Sequence, residues 1–171
     1  MYTLNLLEQA HDTVLRSVEG LPILGWYIPG VYGKWSVKDT IAHLTSCEYV
    51  LLDIIAEIKG STNRPTLNRW LQDCHSFDQF EINQRQHKTV QALLDEYEDV
   101  HTETLIQALH LTDEMLRRNG TLPWYNEDSD LEQFIASTYY HHKRTLGEHV
   151  AAFRDHIMPG VSEEVVSWPQ R

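Results

Sequence analysis

The chain has 171 residues, 42% hydrophobic and 23% charged, so it can bury a sizeable core without disulfide staples and reads as one domain, 1–171. A formal net charge of −11 argues against nucleic acid or an anionic membrane as the main partner. Cys47 and Cys74 form no CxxC pair, no signal-peptide pattern opens the chain, and no apolar run approaches the roughly 20 residues of a membrane span, so a cytoplasmic protein is expected.

In chain order, Leu4, Leu7, His11, Val14, Leu15 and Val18 recur at three and four residues and predict a first helix over 3–19, capped by Thr3 and ended by Gly20 and Pro22. Residues 21–35 mix Pro22, Gly25, Pro29, Gly30 and Gly33 with Trp26, Tyr27 and Tyr32, the composition of a turn-rich connector. A second helix is expected over 37–58, with Ser36 as N-cap, Asp39 three residues on to complete a capping box, and Gly60 at its end. From Ser61 to Phe80 the pattern weakens around Pro65, which suggests a long crossover rather than a tight hairpin. The longest helix is expected from Asp78 or Gln79 to Ala108, a short helical turn at 112–116, and a fourth long helix from Asp130 to Ile157. Its stripe reads Leu131, Phe134, Ile135, Thr138, His141, Thr145, Glu148 and Ala152, with a stop at Pro159-Gly160 and a tail from about 159 in which Trp168 could fold back. Four long amphipathic helices, no convincing strand and no repeat give an all-α four-helix bundle.

The chemistry sits on the second and fourth helices. His43 and Cys47 stand four apart and so address one point in space. On the fourth helix successive residues turn by about 100°, so His141, Thr145 and Glu148 share one face and His142 and His149 another. Only one of those faces can look at His43.

At these positions the chain resembles a family. Val37-Lys-Asp-Thr-Ile-Ala-His-Leu-Thr-Ser-Cys-Glu48 is similar to the second-helix motif of the DinB superfamily of metal-dependent four-helix bundles. Ser137-Thr-Tyr-Tyr-His-His-Lys-Arg-Thr-Leu-Gly147, with Pro123-Trp-Tyr-Asn126 ahead of it, resembles the DfsB-like branch, which includes colibactin self-resistance (ClbS-like) proteins. The resemblance implies an up-down-down-up bundle with a long crossover between its second and third helices. It also implies a divalent metal, zinc or nickel, held by one histidine on the second helix and two on the fourth. His43 matches the first position and His141 the second, while the third falls on Thr145, a poor neutral ligand. Members of the superfamily include thiol-dependent transferases and isomerases, and an enzyme acting on a small electrophile or toxin is the activity implied.

Cys47 offers a local repair, a Cys-His-His set with His43 and His141 that suits zinc and leaves a position open for water. The competing readings are a metal-free hydrogen-bonded pair of core histidines with Cys47 as a small buried hydrophobe, and Cys47 or Cys74 as a nucleophile beside a histidine. The expected pocket is lined by His43, Cys47, Thr145, Glu148, Trp124 and Tyr140, with Trp35, Tyr125 and Tyr139 as further aromatic neighbours suited to a flat small-molecule ligand. A metal-free binding or sequestering bundle is the alternative function. A minor one is a ferritin-like di-iron bundle, because Glu8-Gln-Ala-His11 and Glu98-Asp-Val-His101 both spell Glu-x-x-His beside Glu48 and Glu148. Apolar faces left over after closing the bundle make a homodimer plausible.

Overall fold

The computed structural model describes residues 2–158; the expected stop at Pro159-Gly160, the tail and Trp168 lie outside the described residues. The first long helix, α1 (Tyr2–Val18), leads through a 3-10 turn (Ile23–Tyr27) into a hairpin of β1 (Pro29–Tyr32) and β2 (Trp35–Ser36). The sequence pattern carried no sign of these two short antiparallel strands, in which Pro29 pairs with Ser36 and Tyr32 with Trp35 around Gly33 at φ +59°. Glycine occupies that left-handed position without the steric cost a Cβ would add.

The capping box forms as the sequence implies. Ser36 Oγ accepts from the Asp39 amide at 3.2 Å, and Asp39 Oδ2 accepts from the Ser36 amide at 2.9 Å, which fixes the start of α2 (Val37–Ile58). The crossover is helical. It contains α3 (Pro65–Gln72) and α4 (Cys74–Gln84), and the Asp53 carboxylate on α2 accepts from the Thr66 and Leu67 amides at 2.7 and 3.0 Å. That cap holds the crossover against the flank of α2.

The expected helix over 78–108 is two helices, α4 and α5 (Val90–Ala108). Between Ile82 and Val90 no apolar residue holds the stripe. The buried Arg85 guanidinium instead binds Glu81 on α4 and Glu96 on α5, bracing the break, and Thr89 caps the restart by accepting from the Ala92 amide. A short α6 (Asp113–Leu116) follows. The last long helix begins as α7 (Leu131–Phe134), capped by Asp130, passes through a π-helical segment (Ile135–Tyr139) and continues as α8 (Tyr140–Ile157).

The π turn changes which residues face inward. A π turn accommodates an extra residue in the helix and shifts the phase of everything after it. Leu131, Phe134 and Ile135 are buried as expected, but the stripe then runs through Tyr139, Lys143, Leu146, Gly147 and Val150 instead of Thr138, His141, Thr145 and Glu148.

α1 packs along α8 and α2 along α5, giving the all-α bundle. Its core has two apolar layers. One holds Leu7, Leu51, Ile54, Ile55, Leu131 and Ile135; the other holds Val14, Ile41, Leu44, Leu93, Leu146 and Val150. Between the layers each long helix buries an ionisable side chain: His11 on α1, Glu48 on α2, His101 on α5 and Lys143 on α8. Among the described residues no helix is long and apolar enough to cross a membrane.

Candidate functional site

α2 presents His43 and Cys47 one turn apart toward α8, and the phase shift at the π turn brings His142 to meet them. His43 Nε2 lies 2.7 Å from His142 Nε2, and Cys47 Sγ lies 3.5 Å from His43 Nε2. One ligand atom from each of the three side chains falls within 4.8 Å of the other two. On the far side of the ring, His43 Nδ1 stands 3.1 Å from Asp78 Oδ1 of α4, an ion-pair contact too oblique for a full hydrogen bond. Trp35 packs on the His43 ring with centroids 4.9 Å apart. Imidazole, thiol and carboxylate are thereby fixed by three separate segments: the α2 start, the crossover and the post-π part of the last helix.

The electrostatics favour an imidazolium beside a thiolate. Burial works against protonating His43, yet the Cys47 sulfur and the Asp78 carboxylate outweigh it and push His43 up to about 10. Burial likewise opposes ionising Cys47, but the His43 and His142 rings outweigh it and bring the thiol down to about 6.

These groups form the polar end of a cavity of about 360 Å³. Its walls are apolar and aromatic: Val50 and Leu51 from α2, Trp70 from α3, Phe77 from α4, and Phe134 and Tyr139 from the last helix. Tyr125, whose hydroxyl is 2.6 Å from Thr138 Oγ1, and the exposed Cys74 also line it.

Of the residues singled out from the sequence, His43 and Cys47 reach this cavity, as do Cys74, Tyr125 and Tyr139. His141 does not; it is exposed beside Tyr140, and His142 stands at His43 in its place. Thr145 is exposed and off the cavity, and the buried residue one turn after His142 is Leu146, which offers no ligand atom. Glu148 is exposed and pairs with Arg144. Trp124 backs the wall rather than lining it, edge-on to Trp70 and Phe134 with centroids 5.4 and 5.9 Å away, and half-buried Tyr140 packs into the core. The common cause for His141, Thr145 and Glu148 is the π turn, which a constant 100° per residue does not contain. A signal for the shift did exist: Leu146, Val150 and Phe153 form an apolar run one residue out of phase with the expected face. Asp78 had no signal, because the crossover carries no periodic pattern.

Directly behind the cavity wall lies the polar layer. Glu48 Oε1 accepts from Lys143 Nζ, the Tyr139 hydroxyl and, at 3.1 Å, His101 Nδ1. Burial opposes ionising Glu48, but the Lys143 ammonium and His101 hold its carboxyl well below the usual range. His11 stacks face to face on His101, centroids 3.8 Å apart and planes 3° apart, and burial with His101 beside it lowers it to about 3, so it is neutral. His11, Glu48 and His101 have the donor atoms of a metal site but not its arrangement. An ammonium already holds Oε1 of the carboxylate, and parallel stacked rings cannot aim in-plane lone pairs at one ion. Glu8, Glu98 and Glu148 are exposed, so Glu48 alone of the four glutamates of the di-iron pattern enters the bundle.

Zinc bonds of about 2.0 Å to nitrogen and about 2.3 Å to sulfur imply tetrahedral edges of about 3.3 Å between nitrogens and about 3.5 Å between nitrogen and sulfur. The Cys47–His43 spacing of 3.5 Å meets the second value, and the two imidazoles at 2.7 Å need to part by roughly half an ångström. The carboxylate on the far nitrogen of His43 is the usual outer partner of a metal-bound imidazole. The residues therefore fit a divalent ion with one position left open.

No curated protein sequence and no solved structure matches the chain. A sequence model of the DinB superfamily matches residues 6–148, which spans both α2 and the His142 region of α8, and the chain therefore belongs to the DinB superfamily.

Proposed function

We propose that the protein is a metal-dependent enzyme of the DfsB-like kind, acting on a small, largely apolar electrophile, with His43, Cys47 and His142 as ligands to zinc, or to nickel as second choice. The observation that carries this reading is the meeting of the three ligand atoms at one end of an apolar cavity, within 4.8 Å of one another and with Asp78 behind His43. Further support comes from superfamily membership and from the motif at Ser137–Gly147.

When bound, the ion would supply a Lewis acid that lowers the pKa of a coordinated water or thiol, the basis of a hydrolase-like or thiol-transferase-like reaction. The chain's own residues do the rest. Asp78 holds a proton on Nδ1 of His43, so Nε2, which meets Cys47 and His142, is the nitrogen that would bind the ion once it has given up its proton. Trp70, Phe77 and Phe134 receive an apolar or flat substrate and displace water from the site. The Tyr125–Thr138 hydroxyl pair offers a polar contact within the aromatic lining.

The test is metal analysis of purified protein after stripping and reloading with zinc or nickel. One ion per chain in the wild type, lost in His43→Ala with the helical fold kept, supports the reading. Absence of uptake in a wild type that is as stable as the variant would overturn it.

A further inference from the structure

Both cysteines of the chain line the same cavity, and of the two Cys47 belongs to the ligand set. Cys74 stands on α4, which runs antiparallel to α2. At one end of this pair Lys38 Nζ on α2 donates to the Gln86 carbonyl just past α4, at 2.7 Å; further along, His43 meets Asp78. One more turn forward on α2 is Cys47, and one turn back on α4 is Cys74, so the register sets the two thiols level with each other across the cavity. Cys74 is exposed, and Cys47, partly buried, is flanked by two imidazoles. An accessible thiol facing one held beside imidazoles is the arrangement of a resolving cysteine and a peroxide-sensitive one.

We propose that Cys47 and Cys74 form a peroxide-sensitive dithiol whose intramolecular disulfide draws α4 across the cavity and closes it. The chemistry balances with one peroxide per chain. The Cys47 sulfur attacks a peroxide oxygen, an S–O bond forms, the O–O bond breaks, and Cys47 becomes a sulfenic acid as the other oxygen leaves as water or alcohol with a proton relayed by His43. The Cys74 thiolate then attacks the Cys47 sulfur, an S–S bond forms, the S–O bond breaks, and hydroxide leaves to take up the remaining proton as water. Sulfur loses two electrons and the peroxide gains them. Disulfide formation needs the two Cα atoms within about 7 Å, so α4 must close on α2 if they stand farther apart in the reduced protein. The helix is short, and Asp73 alone separates its start from the end of α3.

The disulfide itself does not depend on a bound metal; its effect on the site does rest on the reading given above. The experiment therefore starts with metal-stripped protein and hydrogen peroxide as the probe. Expected is a monomer lighter by two hydrogens, with peptide mapping that joins the Cys47 and Cys74 peptides and a free-thiol count that falls from two to none. In Cys74→Ser, Cys47 should stop at a sulfenic acid that a dimedone probe traps. A Cys47 that over-oxidises equally in wild type and Cys74→Ser, or a Cys74 that forms only disulfides between chains, overturns the proposal. A second arm repeats the oxidation on zinc-loaded protein, where release of zinc in step with the disulfide is expected. If the wild type never takes up zinc, the metal reading fails while the first arm still decides the dithiol; if zinc stays bound after the disulfide has formed, closure of the site is refuted.

Discussion

Cys47 and Glu48 are neighbours on α2, and His142 and Lys143 are neighbours on α8, yet the two pairs do opposite things. Glu48 and Lys143 face the interior, fully buried, and neutralise each other within a ring of Tyr97, Tyr139 and His101. Cys47 and His142 face the cavity, and with His43 they aim their donor atoms at a common point. The same two helices thus carry a closed charge pair and an open ligand set back to back. The closed pair fixes how α2 and α8 meet at this level, and that registration is what brings Cys47 and His142 to the same place.

The largest effect follows from breaking the closed pair. Lys143→Ala leaves the Glu48 carboxylate buried without its cation, which costs about 3–5 kcal/mol. Chemical denaturation should show that loss, whereas the double variant Glu48→Gln, Lys143→Met should recover most of it, because removing both charges removes the penalty as well. If the single variant loses no more than the double, the pair is not what joins the helices here.

The open set is sharpened by pH. Cys47 is brought down to about 6, so its thiolate persists as the pH falls to that value and is lost below it. Alkylation of Cys47 by iodoacetamide, followed by peptide mass, should rise through about pH 6 and level off above it. In His43→Ala the first of the two lowering rings is gone, and the rise should move toward the ordinary thiol range, with slower labelling at neutral pH. A profile unchanged by His43→Ala would separate Cys47 from His43.

Much of the bundle was legible because its helices write their buried faces at three- and four-residue spacing, and because Ser36 and Asp39 spell the start of α2. Besides the short hairpin, two side chains at the site and behind it were not legible. Asp78 reaches His43 from a crossover without apolar period, so nothing local marked it. Lys143 looks like a surface residue in any pattern of apolar and polar positions, and only its partner Glu48, 95 residues away in sequence, makes its burial tolerable.

A smaller effect tests whether that unmarked carboxylate belongs to the open set. Asp78→Asn keeps the size and the contact with His43 Nδ1 but removes the charge. Zinc affinity should fall by about 10–100-fold, the usual cost of losing an outer partner of a metal-bound imidazole, while thermal stability changes little because Asp78 is 41% exposed. Equal zinc affinity in the variant would remove Asp78 from the site.

The smallest expected effect decides the register of the last helix. A helix of constant pitch carries the expected stripe from Leu131 through His141 to Thr145; the π turn at Ile135–Tyr139 advances the inward face by one residue and substitutes His142 and Leu146. His141→Ala should therefore be silent, within about 0.5 kcal/mol of wild type and with zinc uptake intact, since the side chain is exposed. His142→Ala should abolish uptake at similar stability. These adjacent substitutions are alike in chemistry and differ only in phase, so a reversed result would mean that the helix runs into α8 without the extra residue. Lys143 would then also turn away from Glu48, and the closed pair would be lost together with the open one.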